Sequence, residues 1–363
     1  MNLTYEPYLG KKVFPAITIT IPISLNYPEI GNDEEKLISM LNDVGYRMRK
    51  LFGNGRADMI MKQIGNLKSH IPALQSAKSL LIYLSPEFSK MIPLPYLVSE
   101  KIIVDDSFEI RDLVYSCQKI QNYFLLMISK NQIKTMIGNN NSAYLGIKIP
   151  GMPNGIHDVV SQHSFPGKRY TDKKAYKEKN TLKYIHITDK IIEEHVINQT
   201  DYPIIVMGEK KIVADFRIES KHKERIIGYI EGNFEHSSIE DIKTQVEIVL
   251  NKHQAEKEKK YLQMLEEANN SQHCELGLQN VWRAAAEGKG RILFVEKDYR
   301  PNAMVTIDDF SIVTVQDTFG DTEDIQDAVD EIIESILKFH GEIIFMENGQ
   351  LSDYDSIALI TRY

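Results

Sequence analysis

Cations and aromatic rings are concentrated between residues 163 and 183, in a stretch whose side chains could bind a polyanion. Its basic residues are Lys168, Arg169, Lys173, Lys174, Lys177, Lys179 and Lys183. The only acidic residues among them are Asp172 and Glu178, and Tyr170, Tyr176 and Tyr184 interleave with the lysines. Cations contact phosphates and aromatic rings stack on unpaired bases, so this combination is typical of RNA binding.

We therefore predict an RNA-binding segment in this part of the chain. Its residues are His163, Gly167, Lys168, Arg169, Tyr170, Lys173, Lys174, Tyr176, Lys177, Lys179 and Lys183. The alternative is a solvated helix end, since exposed helices are often rich in lysine. Cations at a helix N-terminus are mildly unfavourable because the helix dipole favours anions there, and this cost favours a functional role.

The other reactive side chains form no catalytic or metal-binding pattern. His186 and His195 are nine residues apart, which puts them on opposite faces of one helix, and with His163 they do not match a compact zinc site. Asp308 and Asp309 are typical of a turn, and the acidic run Asp321, Glu323, Asp324 and Asp327 is typical of a helix N-terminus. The sequence has no P-loop, no GxGxxG after a strand, no HExxH and no GxSxG. We expect a protein that is not an enzyme and that holds no cofactor and no metal.

The elements that must position the basic stretch alternate between short apolar strands and helices, which predicts an α/β fold with covered sheets. In the first segment, residues 1–108, alternating isoleucines from Ile17 to Ile23 predict a strand. A helical region follows, and Gly53 and Gly55 predict a break near its middle.

Two further segments complete the chain, and we predict one domain in each. The second, residues 109–235, contains the basic stretch and then a long helix with Leu182, Ile185, Ile192 and Val196 on one face. The third, residues 236–363, begins at a capping box, Ser238 to Asp241, and then repeats a helix, a glycine turn and a strand.

The composition limits the class of protein. A chain of 363 residues is too long for one ordinary core, and its net charge of −8 argues against a surface that is basic all over. No stretch approaches the roughly 20 apolar residues that cross a bilayer. Cys117 and Cys274 lie far apart and outside any CxxC pattern, which predicts two reduced, buried thiols and a cytoplasmic protein.

The order of these elements resembles that of class 1 release factors and Pelota, in a bacterial and archaeal branch that includes the ribosome hibernation factor Balon. The stretches that carry the resemblance are Phe108–Leu113, Tyr123–Met127, Tyr202–Gly208, Leu278–Gly288, Leu293–Val295 and Ala358–Tyr363. The resemblance implies three small α/β domains arranged as in that family. It further implies a middle-domain tip that reaches the peptidyl-transferase centre of the ribosome and a C-terminal domain that faces an elongation-factor GTPase.

Two departures from the family limit the function that the resemblance implies. Release factors carry a Gly-Gly-Gln tripeptide before the long middle-domain helix, and this chain has none; the corresponding stretch is His163–Tyr170. Asn66–Ser69 is similar to the stop-codon-reading Asn-Ile-Lys-Ser loop but falls after the second predicted helix, which favours coincidence.

We therefore expect a ribosome-binding factor that acts in hibernation or rescue by occupying the A site, where its basic loop would contact rRNA. One alternative is a peptidyl-tRNA hydrolase with a substitute catalytic loop, in which Gln162 supplies the amide. Another is an RNA- or protein-binding adaptor that is unrelated to ribosomes. We also expect the acidic residues from Asp321 to Glu331 to leave the C-terminal domain free to meet protein rather than RNA.

Overall fold

The computed structural model describes residues 4–23, 30–68, 77–140, 142–160, 173–305, 312–314, 324–325 and 327–363. The chain divides into two compact units: unit 1 joins Met1–Lys119 to Tyr261–Tyr363, and unit 2 is Ile120–Lys260. In both units helices cover sheets, which confirms the predicted α/β class. This division into two units does not test the predicted domain boundaries. The boundaries after residue 108 and after residue 235 therefore stay predictions. None of the helices in these ranges is long and apolar enough to cross a membrane.

The N-terminal part of unit 1 is an antiparallel four-stranded sheet in the order β3-β2-β1-β4. Its strands are β1 (Lys12–Pro22), β2 (Ser79–Leu84), β3 (Ser89–Leu94) and β4 (Lys101–Ser107). Alternation in β1 turns Ile17, Ile19 and Ile21 towards α1 (Ile30–Lys68). Gly53 interrupts α1 with φ of 73° and ψ of −176°, so the predicted break is confirmed.

The C-terminal part of unit 1 has its own four-stranded sheet, ordered β10-β16-β11-β15. The strands are β10 (Cys274–Leu276), β11 (Gly290–Glu296), β15 (Glu342–Met346) and β16 (Ile357–Thr361). A three-stranded sheet accompanies it, made of β12 (Ala303–Val305), β13 (Ile312–Thr314) and β14 (Asp324–Ile325). The helices α7 (Leu278–Ala286) and α8 (Ala328–Lys338) pack in one core with Leu293 of β11.

A short helix, α2 (Arg111–Lys119), belongs to this same unit. Its Leu113 and Val114 share a core with Tyr83 of β2 and with Ile333 of α8. Unit 1 therefore holds its N-terminal and C-terminal parts together around one continuous apolar core.

Unit 2 is built on a five-stranded sheet in the order β7-β6-β5-β8-β9. The strands are β5 (Asn122–Ile128), β6 (Ile133–Asn139), β7 (Ser142–Ile147), β8 (Ile204–Gly208) and β9 (Ile226–Glu231). The strands β5, β8 and β9 run parallel, and the apolar run of β5 is buried because helices cover both faces.

Helices cover the unit 2 sheet on both sides. On one face lie α3 (Ile156–Val159), α4 (Lys173–Ile192) and α5 (Lys210–Glu219). On the other face lies the first half of α6 (Ile239–Asn270) through Ile242, Val246 and Leu250. The predicted capping box starts this helix, since the Asp241 amide donates to Ser238 Oγ at 3.2 Å.

Candidate nucleic-acid interface

The helix that carries the predicted basic residues is fixed to unit 2 by its buried face. Tyr184, Ile185 and Ile192 of α4 lie in the core with Phe124 and Val206 of the sheet. The Tyr184 hydroxyl donates to the Ser129 carbonyl oxygen at 2.9 Å. The prediction that Tyr184 interleaves with the lysines at the surface is therefore wrong: its side chain is 0% exposed, because it belongs to the apolar stripe of the helix.

The opposite face of α4 is exposed and basic. Tyr176, Lys179 and Lys183 follow at spacings of three and four residues, which places them in one row on the helix surface. Lys177 is also exposed, but on another side of the helix, since it lies two turns before Tyr184 near the start of α4. Tyr176 exposes 40% of its surface. We call Tyr176, Lys177, Lys179 and Lys183 the lysine face.

The cations of the lysine face are open to solvent and little neutralised. Among the residues that the structure describes, no carboxylate lies within ion-pair distance of Lys177, Lys179 or Lys183. Lys183 Nζ donates to the Val159 carbonyl oxygen at 3.3 Å, which holds this side chain over α3. The arrangement can offer three ammonium groups and one phenol ring to an anionic partner.

The other predicted RNA-binding residues lie wholly or partly outside the described structure. His163, Gly167, Lys168, Arg169 and Tyr170 are outside the described residues. Lys173 and Lys174 open α4, and the structure describes their backbone but not their side chains. For all seven residues the assignment to RNA binding stays a prediction.

The histidines of α4 and its neighbours form pairs with carboxylates. His186 Nε2 lies 2.9 Å from Glu219 Oε2, and His222 Nε2 lies 3.5 Å from Glu193 Oε2. Within the described ranges, no three His, Cys, Asp or Glu residues are grouped so that they could hold a metal ion. Burial raises the pKa of both free thiols, Cys117 and Cys274, to about 11, so neither is a reactive thiolate.

A buried charged cluster in unit 1 was not predicted from the sequence. Arg111 is 1% exposed and donates to Asp327 Oδ1 at 3.1 Å and to the carbonyl oxygens of Glu296, Lys297 and Tyr299. Through these bonds α2 is held to β11 and to the start of α8.

Two further ion pairs extend this cluster. Arg300 pairs with Asp112 and, at 3.2 Å, with Asp327. Burial alone would raise the pKa of Asp112, but the charges of Arg300 and Lys101 outweigh it and lower that pKa. The cluster is electrostatically paired and buried, as expected for a structural element rather than a reactive one.

The position of the acidic residues of α8 corrects a prediction about this region. Asp327 and Asp330 are 3% and 4% exposed, so they do not form the acidic surface that the sequence suggested. Asp327 caps α8 by accepting from the Val329 amide at 3.1 Å. Asp330 Oδ1 accepts the amides of Ile110 and Arg111 at 2.9 and 2.7 Å, at the start of α2. Asp321 and Glu323 lie outside the described residues.

Residues 122–289 match a family model described as bacterial archaeo-eukaryotic release factor family 3. Residues 122–289 of the chain therefore resemble a release-factor-like family. The match covers a little under half of the chain and contains α4 with its lysine face. It confirms the resemblance to release factors that the sequence predicted, while a particular likeness to Balon stays a prediction. No curated protein matches the chain.

Several solved structures of release-factor-like proteins are loosely similar to this one. Archaeal Pelota, from a model of ribosome-bound archaeal Pelota and ABCE1, is 15% identical over 79% of this chain and 72% of its own, with a TM-score of 0.43. Dom34 of S. cerevisiae, described as a termination-like factor that interacts with Hbs1, is 12% identical over 77% of this chain and 73% of its own, with a TM-score of 0.40. Pelota of Archaeoglobus fulgidus is 13% identical over 78% of this chain and 79% of its own, with a TM-score of 0.34. These superpositions are too loose to transfer any function to the chain.

Proposed function

We propose that the chain is a cytoplasmic, ribosome-binding translation factor that occupies the A site in hibernation or rescue without hydrolysing peptidyl-tRNA. The observation that carries the proposal is the lysine face of α4, which lies inside the release-factor-like region. A release-factor-like protein acts on the ribosome, and the lysine face gives it a surface suited to rRNA.

The electrostatics of the chain support a local contact with RNA. The protein as a whole carries a net charge of −8, so it is repelled by polyanions except where cations are concentrated. Three ammonium groups on one helix, with no carboxylate paired to them among the described residues, can replace the counterions that a phosphate backbone holds. The half-exposed ring of Tyr176 lies in the same row and can stack on an unpaired base.

The sequence supports an action without hydrolysis. The chain contains no Gly-Gly-Gln tripeptide, which supplies the hydrolytic function in release factors. We expect the purified protein to release no peptide from stalled ribosomes or from ribosomes at a stop codon. Release well above the control without factor, abolished by Gln162→Ala, would instead support the hydrolase.

The role of the lysine face is tested by a triple variant, K177A/K179A/K183A, in co-sedimentation with purified ribosomes. Loss of three phosphate contacts should reduce the slope of log affinity against log salt by roughly 2 to 3. Alanine suits a helix, so the fold should be retained.

The matched control for this test is K252A/K259A/K260A, which removes three exposed cations from α6. It changes the net charge by the same amount, and we expect it to bind ribosomes like the wild type at moderate salt. Equal binding by both triple variants and the wild type would make the lysine face a solvated helix surface and contradict the proposal.

The resemblance also implies a protein partner, and we propose that residues 236–363 contact an elongation-factor GTPase. This expectation no longer draws on an acidic surface, since Asp327 and Asp330 are buried. A pull-down with the full chain and purified GTPase, with and without a GTP analogue, measures the contact. Failure to recover the GTPase in both nucleotide states, with ribosome binding intact, would remove the partner and leave the ribosome-binding proposal standing.

A further inference from the structure

Unit 1 contains a cleft of about 500 Å³, which lies within the range of small-molecule sites. We call it the unit 1 cleft, and its main lining residues are Lys78, Tyr96, Tyr115, Lys297, Arg300 and Phe345. These residues come from both parts of unit 1: Lys78 precedes β2, Tyr115 lies on α2, and Lys297 and Phe345 lie at the ends of β11 and β15.

One wall of the cleft is aromatic. The rings of Tyr96 and Tyr115 meet edge to face with centroids 4.6 Å apart, and those of Tyr115 and Phe345 do so at 5.1 Å. The Arg111 guanidinium lies 5.9 Å from the Phe345 ring, and the Tyr96 hydroxyl donates to the Asp112 carbonyl oxygen. The wall is therefore held in place from behind, and all three aromatic residues remain partly exposed.

The rim of the cleft carries available positive charge. Lys78 is exposed, and among the described residues no carboxylate pairs with it. Glu347 pairs with two lysines: its Oε2 lies 2.6 Å from Lys297 Nζ and its Oε1 lies 3.0 Å from Lys119 Nζ. Two ammonium groups and one carboxylate leave a net charge of one positive unit on these three side chains. The hydrogen bond from Lys297 lowers the pKa of Glu347 and the same bond raises the pKa of Lys297, so both groups are charged at neutral pH.

The floor of the cleft is charged but internally paired. Arg300 is bound to Asp112 and Asp327, and Arg111 is bound to Asp327 and to backbone carbonyls. Asp112 and Asp327 balance the charges of the two arginines, although Arg111 Nε is buried without a hydrogen-bond partner among the described residues. Asp298 at the rim is hydrogen-bonded to Asn348, and its charge also acts on Lys297. An anion would therefore meet Lys78 and Lys297 rather than the floor.

We infer that the unit 1 cleft binds a nucleoside phosphate, with the base against the aromatic wall and the phosphate between Lys78 and Lys297. Inorganic phosphate alone would leave the aromatic wall unused, and an uncharged apolar ligand would desolvate the lysines without pairing them. A planar base joined to a phosphate matches both halves of the cleft. The cleft belongs to unit 1 and the lysine face to unit 2, so this inference does not depend on the proposed ribosome contact.

Equilibrium dialysis of the full chain with labelled AMP tests the inference, with adenosine and inorganic phosphate as the two half-ligands. We expect AMP to bind, and to bind at least tenfold more tightly than either half-ligand. No binding of AMP at millimolar concentration would overturn the inference. Binding of phosphate as tight as that of AMP would overturn the part played by the aromatic wall.

Single substitutions locate the site. Lys78→Ala and Lys297→Ala should each weaken AMP binding by up to about fivefold, as expected for exposed ion pairs. Lys90→Ala removes an exposed cation of β3 outside the cleft and should leave the affinity unchanged. Phe345→Leu removes a ring and should also weaken binding. If circular dichroism shows that the Phe345→Leu variant is misfolded, the lysine variants alone test the location of the site. Equal AMP affinities of the wild type and all three lysine variants would overturn that location.

A short single-stranded RNA separates the two sources of a nucleoside phosphate. Competition between a 5′-phosphorylated trinucleotide and AMP would indicate that the cleft accepts an unstacked nucleotide of an RNA chain. Binding of AMP without such competition would indicate a free nucleotide. Both results support a nucleoside phosphate site, and failure of both ligands to bind overturns it.

Discussion

Replacing Arg111 by methionine removes a buried cation and the hydrogen bonds that it donates to Asp327 and to three backbone carbonyl oxygens. Arg111 Nη1 lies 3.1 Å from Asp327 Oδ1 and 2.7 Å from the Tyr299 carbonyl oxygen, and both Arg111 and Asp327 are at most 3% exposed. Breaking a buried ion pair on one side costs roughly 3 to 5 kcal/mol, because the remaining charge stays buried. Arg300 still pairs with Asp327 at 3.2 Å, which places the expected loss near the lower end of that range.

Urea unfolding followed by tryptophan fluorescence measures this loss in the unit concerned. Trp282 is the one tryptophan of the chain and packs against the core of unit 1. A loss of about 3 kcal/mol should lower the urea midpoint by at least about 1 M. Lys12→Met is the control, since its ion pair with Asp106 is exposed and should contribute less than about 1 kcal/mol.

A double variant separates the ion pair from simple packing. Asp327→Asn retains a capping side chain for α8 but removes the charge that Arg111 neutralises. Combined with Arg111→Met, it should recover at least about 1 kcal/mol of the loss. An Arg111→Met loss below about 1 kcal/mol, or no recovery in the double variant, would refute a paired cluster that joins α2 to the C-terminal part of unit 1.

Two other predictions concern pH and backbone packing. Burial, and then the charge of Glu334, raise the pKa of Glu331 to about 7 from an ordinary 4.5, so the unfolded chain loses this proton at a lower pH than the folded one. The contribution of Glu331 to stability should therefore fall as pH rises from about 4.5 to 7. Glu331→Gln should stabilise the protein by up to about 3 kcal/mol at pH 8 but not at pH 4. Equal shifts of the urea midpoint at the two pH values would contradict this. A Cβ at Gly208 would lie 1.9 Å from the Ile128 carbonyl oxygen, so Gly208→Ala should cost roughly 1 to 3 kcal/mol, and an unchanged melting temperature by circular dichroism would contradict the close approach of β5 and β8.

The fold class was predictable because its signals are local. Alternation in β1, the glycine break in α1 and the Ser238 capping box each depend on residues close in sequence. The order of helices and strands after residue 278 was predicted for the same reason. The family match then confirms the resemblance that this order suggested.

The buried charged cluster could not be predicted because its partners are distant in sequence. Arg111 and Asp327 are 216 residues apart, and acidic residues at the start of a helix normally indicate a solvated end. Only the packing of α2 against α8 shows that these carboxylates are buried. The same limit explains why the unit 1 cleft, whose lining residues run from Lys78 to Phe345, left no motif.

The candidate interface was predicted in part. Exposed Lys177, Lys179 and Lys183 match the expected surface, but Tyr184 was counted with them from composition alone. Tyr184 lies one turn before the buried Thr188 and so faces the core, which composition alone does not show.

Competition with A-site tRNA on purified ribosomes tests the central claim most directly. We predict that the protein co-sediments with ribosomes whose A site is empty and that A-site tRNA displaces it, while K177A/K179A/K183A binds weakly in both cases. Simultaneous binding of tRNA and protein to the same ribosomes, or no binding to ribosomes with an empty A site, would contradict the account.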